Sequence, residues 1–199
     1  MDLINSFLAL DKELLLFIND LHSPFGDVVM WQVSHKFFWI PFYIFLLFLA
    51  YKRLGPGKCL LFIVLLTLAI IAADQLASSV IRPHVGRLRP SSPLNPLSDT
   101  IHLVNGYRGR SFGFPSCHAA NTFALVVFLA NILKSNRISA VLLIWAMLVA
   151  YSRIYLGVHY PSDILAGAFL GIVVGYNFYL LYNYMLGMKS LRFLRNYSG

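Results

Sequence analysis

Two histidines and three arginines stand beside residue types that could make them chemically active. His159 and Asp163 lie four residues apart around a predicted helix start, with Pro161 suited to the first turn. At that spacing the carboxylate reaches one imidazole nitrogen and leaves the other free, making His159 an oriented nucleophile or base. His118 falls in the first turn of another predicted helix, just after Ser116, a natural N-cap whose neighbouring free amides would bind an anion. Two histidines in different settings suit attack by one and protonation of a leaving oxygen by the other. Arg82, Arg89 and Arg153 add planar cationic forks matched to phosphate oxygens. Together these residues fit phosphoryl transfer, in which catalysis is mostly positioning and electrostatic stabilisation of the transferring group.

The elements that must position them are apolar helices. Of 199 residues 58% are hydrophobic and 12% charged, and the mean hydropathy is +0.69, which excludes a water-soluble globule. Spans are predicted at 37–51, 58–80, 118–133, 138–155 and 162–188, giving an all-α polytopic membrane bundle of about five helices, six at most. Several of these runs are only about 15 residues, or about 22 Å, against a hydrocarbon core of about 30 Å. Their missing turns must therefore contain polar residues. Before them, residues 1–36 read as amphipathic helices lying in the membrane interface, with a turn at Ser23 and Pro24. The core is expected over 37–188, with an outer polar segment at 82–117 and a basic tail at 189–199. No basic region precedes the first apolar stretch, so no cleavable signal peptide is expected.

Charge gives the orientation. Lys52, Arg53, Lys58, Lys134, Arg137, Lys189, Arg192 and Arg195 fall in one set of loops with no acid among them. The remaining eight basic residues share the other side with all eight acids, so that side is formally neutral. Positive short loops mark the cytoplasm. The C-terminus is accordingly placed inside, and the histidines and arginines on the outer face. The net charge of +8 is then mainly a topological signal, and no nucleic-acid partner is expected. Cys59 and Cys117 sit at opposite faces and cannot pair. Two cysteines also give no thiolate metal cluster.

The three polar clusters resemble the signature of the type 2 phosphatidic acid phosphatase family, K-x(6)-R-P, P-S-G-H and S-R-x(5)-H-x(3)-D. They correspond to Arg82 with Arg89-Pro90, to Pro115-Ser116-Cys117-His118, and to Ser152-Arg153 with His159 and Asp163, in the family's order and spacing. The resemblance implies that His159 attacks phosphorus to form a phosphohistidine, with Asp163 holding its tautomer. It implies that His118 protonates the leaving lipid oxygen and then activates water. Arg82, Arg89, Arg153, Ser116 and the Cys117 amide would hold the phosphoryl oxygens, with Ser152 in support, and neither cofactor nor metal is called for. Two residues depart from the pattern: Arg82 replaces Lys, trading a compact ammonium for a broad fork, and Cys117 replaces Gly. Cys117 is expected in ordinary helix-start geometry as a small packed residue, in preference to a reactive thiol.

Asp74, eight residues before Arg82, is expected on the same helix face as an ion-pair partner that orients it. Arg87, Arg108 and Arg110 are left open between binding a diphosphate or sugar phosphate and meeting solvent or lipid head groups. His22, His35, His84 and His102 have no partner spacing and read as structural. Tyr155 and Tyr160 belong to the packing and the interfacial belt, with a place in the pocket wall left open. Gly167, Gly171 and Gly175 share one helix face, suited to close packing inside the bundle ahead of dimerisation.

The function expected from the resemblance is hydrolysis of a lipid phosphomonoester or terminal diphosphate, of the undecaprenyl diphosphate, lipid A or phosphatidylglycerol phosphate class. The site would face the periplasm or exterior of a bacterial inner membrane, with an amphiphilic phospholipid or polyprenyl phosphate as partner. The alternatives are a lipid phosphotransferase using the same intermediate and a non-catalytic phospholipid-binding or transport protein; monomer or oligomer stays open.

Overall fold

A helix that is apolar all round needs apolar surroundings on every side, and most of the chain consists of such helices. The computed structural model describes the backbone of residues 2–197 and the side chains of residues 3–187. An amphipathic pair comes first, α1 (Asp2–Asp20) and α2 (Pro24–Ser34), and a 3-10 turn at Lys36–Trp39 leads into α3 (Ile40–Leu54). Helix α4 (Pro56–Gln75) continues through a π-helical stretch, Leu76–Ile81, into the single turn α5 (Arg82–Val85). An irregular segment over 86–116 precedes α6 (Cys117–Leu133), α7 (Asn136–Tyr155) and α8 (Pro161–Tyr197).

Lys36–Leu54, Pro56–Val85, Asn136–Tyr155 and Pro161–Gly187 are long and apolar enough to cross a membrane, and Cys117–Leu133 is a shorter apolar helix. Among the described residues this is the expected all-α multi-pass bundle. The side chains of the basic tail at 189–199 lie outside the described residues. At 17 residues α6 is only about 26 Å long. His118 lies in its first turn.

One boundary differs from expectation. The second span was predicted to stop near Val80, yet helix continues to Val85. Pro83 has no N–H for the carbonyl four residues back, and its ring needs room there. The π-helical turns at Leu76–Ile81 widen the helix just before it and supply that room.

Helix α6 is the centre of the bundle, packed on α4, α7 and α8, with Phe62, Phe128, Leu129, Leu142 and Tyr182 almost fully buried. It meets α8 along the three glycines. A Cβ on Gly171 would overlap the Ala120 carbonyl oxygen, and one on Gly175 would lie 2.5 Å from the Ala124 carbonyl oxygen. The stripe therefore packs inside the bundle, as expected. Gly171→Ala should destabilise the protein by about 1–3 kcal/mol, read as a lower unfolding midpoint in detergent.

Helix α1 buries Leu15 together with two polar residues. Leu3, Ile4, Phe7, Leu8 and Phe17 are exposed, whereas Asp11 and Asn19 are buried. Apolar residues outward agree with a helix lying against lipid. The buried polar pair was unforeseen: Asn19 clamps the chain, its Nδ2 donating to the His102 and Tyr155 carbonyls at 2.9 and 2.8 Å and its Oδ1 accepting from the His102 amide at 2.8 Å.

Candidate active site

The start of α8 fixes the first histidine. Pro161 takes the first helical position, and the Asp163 carboxylate reaches back to accept from the Tyr160 amide at 3.1 Å, satisfying a donor the helix start leaves unpaired. The same oxygen, Oδ2, lies 3.3 Å from His159 Nδ1. A carboxylate can only accept here, so Nδ1 carries the proton and Nε2 keeps its lone pair. Both side chains are buried, His159 at 1% and Asp163 at 0% exposure.

Asp163 is held from behind by Arg87. Arg87 Nη1 donates to Asp163 Oδ1 at 3.0 Å and to Ser162 Oγ at 2.5 Å, while Nη2 donates to Asp11 Oδ2 at 2.6 Å. Its guanidinium also stacks 3.9 Å from the Tyr160 ring centroid. Asp11 in turn accepts from the Ser162 amide at 2.8 Å, so α1 helps to cap α8. Arg87 is thus neither a solvated charge nor a free phosphate ligand, the two roles left open for it. It is the positioning residue of the dyad.

A short crossing of the irregular segment places Arg87 and Arg89 together. Leu88 bridges Phe112, the Arg89 amide donates to the Ser111 carbonyl at 2.8 Å, and the Gly113 amide donates to the Arg87 carbonyl at 2.9 Å. Extended residues two apart share a face, so both arginines turn toward α8. Gly113 permits the approach, since a Cβ there would lie 3.0 Å from both Asp163 Oδ2 and Arg89 Cγ. Arg89 is fixed by the Phe112 and Val158 carbonyls, which accept from Nε at 3.0 Å and Nη1 at 3.3 Å.

The expected phosphate ligands converge. Arg82, Arg89, Arg153, Cys117, His118 and His159 line one cavity of about 270 Å³ together with Asp74, Ser78, Tyr107 and Arg110. Four arginines against a single carboxylate make it a cationic pocket. Two guanidinium nitrogens buried here, Arg82 Nε and Arg153 Nε, find no partner in the protein, and a buried donor left unpaired calls for an acceptor. Phosphoryl oxygens are such acceptors.

Other placements differ from expectation. Asp74 and Arg82 share a cavity wall but form no ion pair: Asp74 Oδ1 accepts from Asn121 Nδ2 at 3.0 Å, while Arg82 Nη2 donates to the Pro115 carbonyl at 2.9 Å and Cys117 Sγ at 2.8 Å. Eight residues of helix separate them by about 12 Å, and each finds a nearer partner. Cys117 takes the ordinary first-turn position of α6, as expected, with its thiol against Arg82. Ser116 is the predicted N-cap, its Oγ 3.5 Å from the Ala119 amide, but it is fully buried and its side chain does not line the cavity. Ser152 also stays out, its hydroxyl donating to the Val149 carbonyl of its own helix at 2.7 Å. Arg108 donates to the Ser91 carbonyl, whereas Arg110 faces the cavity. Tyr155 is tied to Asp27 and Tyr160 to Asn95. Tyr107, on which no expectation rested, supplies the aromatic wall. His102 pairs with Asp27 at 2.7 Å and stacks on His22, away from the site.

Electrostatics follow from this crowding. Burial, then the charges of Arg89, Arg153 and Arg82, hold His159 well below the ordinary imidazole range. This favours the neutral imidazole, with its lone pair on Nε2. Burial, then Arg153 and Arg82, lower Arg89 to about 10, still cationic at neutrality. Removing the Arg89 charge should raise the His159 pKa, so Arg89→Gln is expected to move the acid limb of the kcat/KM profile to higher pH. The substrate's own phosphate ionisation, with a pKa of about 6, is common to both enzymes, so a shift between the two profiles belongs to the protein. Unchanged limbs would contradict this coupling.

Known proteins resemble the chain over most of its length. Residues 57–186 match the PAP2 superfamily, a stretch that includes all three polar clusters. The chain is 45% identical over 172 residues to a lipid A 4'-phosphatase of Bacteroides thetaiotaomicron, covering 86% of this chain and 76% of that protein. It is 37% identical over 179 residues to a lipid A 4'-phosphatase of Porphyromonas gingivalis, covering 89% and 75%. Among solved structures, LpxE of Aquifex aeolicus superposes with a TM-score of 0.62 at 25% identity, over 85% of this chain and 94% of that one. A phosphatidylglycerolphosphate phosphatase of Bacillus subtilis shares the fold, with a TM-score of 0.63 at 22% identity over 87% and 85%. The chain belongs to the PAP2 superfamily and is a multi-pass membrane lipid phosphatase.

Proposed function

We propose that the protein hydrolyses a phosphate monoester on the head group of a lipid A-type lipid, through a phosphohistidine on His159, at the outer face of a bacterial cytoplasmic membrane. The observation that carries the mechanism is the His159 ring, bonded through Nδ1 to Asp163 and lining a cavity walled by arginines. The two lipid A 4'-phosphatases, similar over most of both chains, support the substrate class.

In the first step His159 Nε2 attacks phosphorus as the ester P–O bond breaks. The lipid alkoxide takes a proton from His118. Charge that develops on the phosphoryl oxygens meets Arg82, Arg89 and Arg153, which are already fixed in place and need little reorganisation. In the second step His118 accepts a proton from water, the oxygen attacks phosphorus, and the P–N bond breaks. Inorganic phosphate leaves and His159 returns neutral, its Nδ1–H still on Asp163. Eight basic residues without an acid in one set of loops, against a formally neutral opposite side, support the outward orientation.

The test is phosphate release by the purified protein from lipid A, phosphatidylglycerol phosphate and undecaprenyl diphosphate, repeated with the best lipid presented to the outside of right-side-out membranes. Release of inorganic phosphate, fastest from lipid A and undiminished in sealed membranes, is expected. Label appearing on a second lipid would establish the phosphotransferase instead, and no turnover of any lipid would defeat the enzymatic reading.

A further inference from the structure

A second cavity, of about 460 Å³, adjoins the cationic one. The two share Tyr107, His118 and Arg153, so they meet at the histidine that faces the departing alcohol in the mechanism above. The far wall comes from Trp31, near the end of α2, and from the α2–α3 junction, Ser34, His35 and Lys36. Lys36 then borders a third cavity, of about 420 Å³ and largely apolar, set among the membrane-spanning residues Tyr43, Phe62, Leu125 and Trp145. Shared wall residues therefore link the phosphate site to the middle chamber, and the middle chamber to the apolar groove.

A lipid phosphate laid along these cavities has its acyl chains in the groove and its phosphorus beside His159. What lies between must fill the middle chamber. No carboxylate lines this chamber; Ser34 Oγ accepts from Arg153 Nη1, so these two hold each other across its wall, and His35 and Lys36 supply hydrogen-bond donors. Its aromatic groups are Trp31 and Tyr107, edge to face at 5.5 Å and 80°, broad apolar surfaces with a polar tip. Its volume is within the range of small-molecule sites and far exceeds a glycerol backbone. Donors around the rim with aromatic rings in the wall suit a hydroxyl-rich ring.

We propose that this chamber receives the sugar-like head group of the leaving lipid alcohol, and that Trp31 and Lys36 make the enzyme prefer such lipids to those whose phosphate sits directly on glycerol. The inference rests on the assignment of His118 to the leaving-group side. Trp31 supplies packing surface for the ring. Lys36 supplies a cation at the junction of head group and chains, where the ester and hydroxyl oxygens of a glycolipid cluster. Neither residue touches the reacting phosphoryl group.

The test compares Trp31→Ala and Lys36→Gln with the wild type on two substrates, bis-phosphorylated lipid A and dioleoyl phosphatidic acid, in one detergent. Each variant is expected to lower kcat/KM for lipid A about tenfold relative to phosphatidic acid, with the loss in KM. Lys36 is exposed, so its variant keeps the test intact if Trp31→Ala lowers the unfolding midpoint. Equal losses on both substrates, or no change in the ratio, would overturn the inference. A wild type that releases phosphate from neither lipid would instead overturn the hydrolase reading, and this inference with it.

Discussion

His159→Ala should reduce phosphate release from lipid substrates by about four orders of magnitude or more, while the protein remains folded. The size follows from what is lost. Without Nε2 the covalent route closes, and water must attack a phosphate ester directly, helped only by the arginines. Retention of the fold follows from the bonds that survive: Asp163 still accepts from Arg87 and from the Tyr160 amide. The unfolding midpoint should accordingly move little beside the activity. Removing His118 as well should cost little more, because groups that act on the same step are strongly non-additive. Phosphate release surviving within tenfold of wild type would exclude His159 as the nucleophile.

Arg87→Ala should cost about 3–5 kcal/mol of stability, the range for breaking a buried ion pair from one side. Arg87 faces two carboxylates, Asp11 at 3% and Asp163 at 0% side-chain exposure. Both would be left buried without their cation. Arg87→Lys should recover only part of the loss, because one ammonium cannot reproduce two guanidinium nitrogens aimed at different acids. Asp11→Asn removes one of the two negative charges, so Arg87→Ala should be less harmful in that background, a coupling that a double-mutant cycle measures. Thermal unfolding in detergent reads the stability. Turnover should fall as well, since Asp163 then lacks the partner that orients it toward His159. Additive effects of the two substitutions would mean that Asp11 and Arg87 do not share an energetic network.

The contrast between these predictions shows what could be read from the chain. His159 and Asp163 were legible because their relation is local, a four-residue spacing at a helix start, and Ser116 because an N-cap announces itself by type and place. The helices were legible from hydropathy, apart from the end of α4, where a π-helical stretch absorbs Pro83 in a way that residue types do not signal. Arg87 was not legible, since only the Leu88–Phe112 bridge aims it and the partner it meets is on α1. Asp11 looked like a water-facing residue of an amphipathic helix. Instead Asp11 shares the inward face of the helix with Leu15 and Asn19, while Lys12, Glu13 and Asp20 stay exposed. The Asp74–Arg82 pairing failed for a related reason: a shared face sets who can meet, and competing partners on α6 and its cap decide who does.

The anchoring of α1 has a consequence for biosynthesis. Asp11 leaves the ribosome 151 residues before Ser162, the backbone amide it caps, and Asn19 emerges 136 residues before Tyr155. Contacts so distant in sequence close late. Until then α1 has only its apolar side to hold it, which confines it to the bilayer surface where α7 and α8 will later insert. Helix α1 is thus made long before its partners, and the bracing behind the dyad is complete only once α8 has followed it.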